Sequence, residues 1–96
     1  MFTHAVLFKI DKNQLKKYYR DCRKWARYAA KAKGFVSYST MERVDFKGQY
    51  ASVYSWKTKK DHGRFMDKFH DWLVNKSKAR VKVLGYYNLR GVDKLK

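Results

Sequence analysis

Three histidines and one cysteine are the side chains of this 96-residue chain best suited to move a proton or hold a metal: His4, His62, His70 and Cys22. An imidazole changes charge near neutral pH and can act as acid or base. No two of the histidines stand at the i, i+4 spacing of a helical metal clamp. A lone cysteine makes neither an intramolecular disulfide nor a multi-thiolate zinc site. Cys22 reads as a small apolar residue on a helix, and nothing in the sequence calls for a metal, haem or flavin. Hydrolysis and nucleotide transfer have no support either. The chain lacks a Gly-rich phosphate loop, a Ser nucleophile elbow and a carboxylate pair placed for glycoside cleavage.

Composition bounds what must position these groups. The chain carries 24 Lys+Arg against 8 Asp+Glu, a formal charge of +16, but 18% of its residues are aromatic, and disordered basic tails are poor in aromatics. The expectation is one folded domain over residues 1–96, large enough for a single core. Apolar runs fall well short of the roughly 20 residues that cross a bilayer. Met1 leads directly into a strand pattern and not into a leader, so a cytoplasmic location is expected.

Thr3 to Ile10 is an apolar, β-branched and aromatic run that reads as a strand. Asp11 and Gln14 resemble a capping box opening a helix. Its apolar face is Leu15, Tyr18, Tyr19, Cys22, Trp25, Ala26, Ala29 and Ala30, with Gly34 as the stop. Phe35 to Val44 alternates as a second strand, Asp45 to Gly48 turns, and Gln49 to Trp56 returns as a hairpin. Thr58 and Asp61 cap a second helix with His62, Phe65, Met66, Phe69, Trp72 and Leu73 along one face. Arg80 to Leu89 reads as the last strand. The order β-α-β-β-α-β gives an α+β, ferredoxin-like antiparallel sheet with both helices on one face. Its other face is expected to expose several aromatics, which a partner subunit or a ligand must cover.

The Gly34-Phe35 start of strand two, the run Tyr50 to Lys59 through Trp56, and Phe65-Met66 followed by Phe69-His70-Asp71 resemble the antibiotic-biosynthesis-monooxygenase (ABM) type of protein. The opening Met1 to Lys9, with His4 before aliphatics and Phe8-Lys9, resembles the neighbouring stress-responsive dimeric barrel family. The resemblance implies a homodimer in which two sheets pack face to face, with a small-molecule pocket between each sheet and its helices. It further implies cofactor-free oxidation of an aromatic or anionic organic molecule, with no prosthetic group. In the cyclase branch a first-strand histidine acts with one on the second helix, so the resemblance makes His4 and His70 the candidate proton-transfer pair. Phe65 falls near the aromatic that lines the pocket. Trp56, Tyr18 and Trp72 are further candidate lining residues that read equally as core or interface anchors.

A second reading comes from the same element order. The RNA-recognition motif stacks bases on sheet aromatics, and Lys47-Gly48-Gln49-Tyr50-Ala51-Ser52-Val53-Tyr54 is a loose echo of its third-strand signature, with one insertion and with Ser52 in place of a platform aromatic. Helix one is strongly basic, which suits phosphate. In this fold, however, that charge lies behind the sheet, away from the expected aromatic platform.

Overall fold

Alternation in the first strand decides which way the sheet faces. In the computed structural model, which describes residues 1–93, β1 (Phe2–Lys9) buries Phe2, His4 and Val6 on one face while Thr3, Ala5 and Leu7 stay partly open on the other. Residues 94–96, the end of the expected domain, lie outside the described residues. A short 3-10 turn (Lys12–Gln14) leads into α1 (Leu15–Ala30), followed by β2 (Phe35–Glu42), β3 (Gln49–Trp56), α2 (Lys59–Lys76) and β4 (Lys82–Arg90). The strands lie in the order β2-β3-β1-β4 and every neighbouring pair is antiparallel, which is the ferredoxin-like α+β arrangement.

Both helices cover the face that carries Phe2, His4, Val6, Tyr50, Ser52, Tyr54 and Trp56. α1 presents Tyr18, Cys22, Trp25 and Ala29 to it, and α2 presents Phe65, Phe69 and Leu73, both at helical spacing. This corrects the expected aromatic platform. Tyr50, Tyr54 and Trp56 point under the helices, and the open face of the central strands offers Thr3, Ala5 and Leu7 beside Ala51, Val53 and Ser55. Stacked bases would find no aromatic of β1 or β3 there, because a strand's period of two commits all three β3 rings to one side.

Two expected helix starts behave differently. Thr58 caps α2: its hydroxyl accepts the Asp61 N–H at 3.1 Å and donates to Asp61 Oδ2 at 2.9 Å. Asp11 makes no side-chain cap, and the buried Gln14 side chain instead accepts the Arg80 N–H at 2.9 Å. The lone carboxylate of α1 does related work. Asp21 accepts the backbone N–H groups of Lys78 (2.9 and 3.0 Å) and Ala79 (2.8 Å), so the α2–β4 connection is pinned onto α1. α1 ends at Ala30, earlier than a Gly34 stop would have it. Gly34 serves the turn into β2, at φ +84°, where a Cβ would also overlap the Asp61 carboxylate.

Candidate functional site

Pinning the α2–β4 connection over α1 leaves a cavity of about 430 Å³ between the helices and the sheet, within the range of roughly 300–1,000 Å³ usual for small-molecule sites. Its walls are mostly apolar, from Val6, Phe8, Trp25, Tyr54, Phe65 and Met66, with a few polar groups at defined places.

His4 sits on the sheet wall, 8% exposed, and its Nδ1 lies 2.7 Å from Asn88 Oδ1 on the neighbouring strand. The amide carbonyl accepts, so Nδ1 carries a proton, and in the neutral ring it is Nε2 that keeps the lone pair. The His62 ring lies against it from the start of α2, centroid to centroid 4.5 Å. Burial, and secondly the positive charge His4 can carry, hold the His62 imidazolium down to a pKa of about 4, so His62 is neutral at physiological pH. Its Nδ1 is buried without a hydrogen-bond partner. The same is true of the indole Nε1 of Trp56, which is fully buried and whose ring stands 5.9 Å from His62 edge to face. Buried polar atoms almost always find a partner, so these two orphans are the least satisfied polar groups of the residues that line the cavity.

A second polar group lies one step along the sheet. Tyr18 and Ser52 join hydroxyls at 2.7 Å, and Tyr38 donates to the same Ser52 Oγ at 3.1 Å, with Cys22 Sγ 3.8 Å away. Burial pushes both phenols above their ordinary range, so they remain protonated hydroxyls.

The structure therefore brings His4, His70, Phe65, Trp56 and Tyr18 to one cavity, and leaves Trp72 out. Trp72 is 44% exposed on the outer side of α2, packed edge to face on Tyr28 at 5.0 Å, because it lies one residue off the stripe of Phe65, Phe69 and Leu73. His70 occupies the rim, its side chain half exposed, 6.0 Å from Trp25 and 3.1 Å from Asp71 Oδ1. The imidazole packed on His4 is His62. Sequence reasoning places His62 on the apolar helix face without a role and misses Asn88 altogether. The signal for His62 is a polar ring on an otherwise apolar stripe; for Asn88 it is an amide in an alternating strand. Among the described residues no group of three or more His, Cys, Asp or Glu side chains could hold a metal ion, and no helix is long and apolar enough to cross a membrane.

A four-stranded antiparallel sheet with an aromatic-walled cavity beneath its two helices defines a class, that of small ferredoxin-like α+β domains. Within that class the fold is that of the antibiotic biosynthesis monooxygenases. The chain superimposes on SnoaB, a cofactor-independent oxygenase from Streptomyces nogalater, with TM-score 0.77 and 13% identity, over 98% of this chain and 95% of that one. A putative antibiotic biosynthesis monooxygenase from Nitrosomonas europaea gives TM-score 0.73 and 12% identity over 97% and 100%. MupZ from Pseudomonas fluorescens gives 0.76 and 10% over 91% and 69%. No family model and no curated protein matches the sequence.

Proposed function

We propose that this chain binds a planar phenolic molecule between its sheet and helices and oxidises it with molecular oxygen, without a cofactor. The observation that carries the reading is the meeting in one aromatic-walled cavity of the His4 imidazole, oriented by Asn88, with His62 and Trp56, whose buried ring nitrogens lack partners. The fold shared with SnoaB, itself a cofactor-independent oxygenase, supports it.

In this reading His4 Nε2 takes the phenol proton while Asn88 holds the ring's tautomer. The phenolate gives one electron to oxygen, the radical pair joins at the para carbon, and the proton held by His4 makes the adduct a hydroperoxide. His4 then takes the para C–H proton as the O–O bond breaks, one oxygen stays as a carbonyl, and the other leaves as hydroxide that receives this proton and becomes water. The buried Trp56 N–H would stabilise the oxyanion once the wall around it adjusts to the ligand, in a dry site where a donor is worth more than in water. His70, at the rim, would exchange protons with solvent. Two copies would close their open sheet faces on each other, burying the Ala5, Leu7, Ala51 and Val53 surface.

1-Naphthol tests the reading. One naphthol and one oxygen should yield one 1,4-naphthoquinone and one water, followed by quinone absorbance and an oxygen electrode. His4→Gln should lose about 10²- to 10⁴-fold in rate, the usual worth of a general base. Quenching of tryptophan fluorescence with no oxygen uptake would leave a binding protein without chemistry, and neither quenching nor uptake would overturn the proposal.

A further inference from the structure

The basic charge and the exposed aromatics meet on a surface the cavity does not use. Along the outer groove between α1 and α2, three rings form a continuous strip: Tyr28 stands 5.5 Å from Phe69 and 5.0 Å from Trp72. Each ring has a lysine ammonium over it, Lys31 above Tyr28 at 5.9 Å, Lys68 above Phe69 at 5.3 Å and Lys76 above Trp72 at 5.9 Å. Beside the strip, Tyr28, Phe69, Lys31, Lys33, Arg64 and Lys68 line a cleft of about 390 Å³.

Of the three carboxylates of α2, Asp67 is exposed and pairs with none of the lysines of this groove. Asp61 is buried against Thr58 and Arg64, the latter at 2.8 Å, and Asp71 pairs with His70. None of Lys31, Lys33, Lys68 or Lys76 has a carboxylate within 4.0 Å among the described residues. This face is an array of unneutralised cations over aromatic faces, and like charges so gathered repel until an anion relieves them.

From this juxtaposition we infer that the outer α1–α2 groove binds single-stranded RNA, its phosphates on Lys31, Lys68 and Lys76 and a base stacked on the exposed Trp72, with Tyr28 and Phe69 flooring the groove. Regularly spaced phosphates complement the cations, and a base offers Trp72 a π-face when Lys76 turns from the ring to a phosphate. A lipid surface fits less well. Tyr28 and Phe69 are partly buried in the groove and do not project as wedges, leaving only Trp72 to insert. The groove lies on the opposite side of the helices from the sheet, so face-to-face pairing of two sheets would leave it open on both copies.

The test is fluorescence anisotropy with a labelled 12-nucleotide oligouridine, titrated at 50 and 150 mM KCl. The wild-type chain should bind, with a steep loss of affinity at the higher salt. The triple variant Lys31→Ala, Lys68→Ala, Lys76→Ala should flatten the slope of log K against log salt by about 2, at roughly 0.7 for each phosphate that is no longer neutralised. Trp72→Ala should weaken binding by about 5- to 150-fold at both salts without changing that slope, and Trp72→Phe, which keeps a stacking face, should recover most of it. Trp72 is exposed, so these variants should fold, with circular dichroism as the control. A matched triple, Lys12→Ala, Lys16→Ala, Lys47→Ala, near the start of α1, should keep most of the affinity. Absence of binding at 50 mM KCl would overturn the proposal. So would an equal loss in the two triples, an unchanged Trp72→Ala, or capture by phosphatidylserine vesicles without RNA binding.

Discussion

His4 and His62 lie with their ring centroids 4.5 Å apart and their planes inclined by 35°, one from β1 and one from the first turn of α2. The contact is a joint between sheet and helix as well as part of the cavity wall, since His62 also meets Phe2 at 5.3 Å and Trp56 at 5.9 Å. It carries a stability consequence because His62 folds neutral.

The folded His62 takes a proton only near pH 4, while in the unfolded chain it does so near its ordinary 6.5. As pH falls through that window the unfolded state binds the extra proton. Stability is therefore full above about pH 6.5 and is lost toward pH 4. At about 1.4 kcal/mol per pH unit, reduced because water reaches part of the ring, the loss between pH 7 and pH 5 should be about 1–2 kcal/mol. Urea midpoints at the two pH values measure it. His62→Phe keeps a flat ring against Phe2 and Trp56 and should remove that share of the pH dependence; an identical slope in the variant would refute the assignment.

Trp56 separates function from stability. Its indole is wholly buried but its N–H has no partner, a position that costs about 1–3 kcal/mol in an otherwise apolar wall. Trp56→Phe removes the orphan and some packing volume together, so the net change in stability should stay within about 1.5 kcal/mol. That is well below the roughly 3–5 kcal/mol typical of truncating a buried aromatic to alanine. If the N–H serves a ligand oxygen, 1-naphthol oxidation should fall about 10²-fold in the same variant. Parallel losses in the urea midpoint and in the rate would mean that Trp56 is only packing.

How far the sequence foretells this site depends on the range of the interactions involved. Local signals suffice for Thr58 and Asp61 at the start of α2 and for the alternation of Tyr50, Ser52, Tyr54 and Trp56, since a cap needs three residues and a strand face needs a period of two. Alternation names two faces without saying which one the helices cover, and so leaves the β3 aromatics expected on the open side. Asn88 faces His4 through a β1–β4 register that shifts between Leu7 and Phe8, and no local pattern encodes a pairing 84 residues apart. Gln14 reads in the sequence as the capping-box partner of Asp11, and Asp21 as the one acidic residue of a basic helix. Their partners, the amides of Arg80, Lys78 and Ala79, become visible only once the chain has returned across α1.

That return gives a local prediction. The Asp21 carboxylate holds two consecutive backbone N–H groups at the mouth of the cavity, and hydrogen bonds to a charged group are worth about 1.5–3 kcal/mol. Asp21→Ala should cost about 2–3 kcal/mol in urea unfolding. Asp21→Asn, which keeps one acceptor oxygen, should cost less. Amide hydrogen exchange should quicken at Lys78 and Ala79 in the alanine variant while the β1–β3 amides stay protected. Unchanged exchange at those two amides would show that the connection is held by something else.

The open face of the sheet decides whether the chain acts alone. Its centre is small and apolar, with Ala5 opposite Val53 and Leu7 opposite Ala51, and its β4 edge adds Tyr87 (50% exposed) and Leu89 (58%). Four strands about 4.8 Å apart and eight residues of about 3.3 Å each span roughly 19 by 26 Å. Such a plane is of the same order as the approximately 800 Å² per partner that a stable pair buries. Light scattering of the wild-type chain at tens of micromolar should then give 2 × 11.6 = 23.2 kDa. Ala51→Glu places a carboxylate at the centre of that face without touching the core beneath the helices, so it should leave the fold intact and give 11.6 kDa. A wild-type mass of one chain, or a dimer indifferent to Ala51→Glu, would move the contact away from this face.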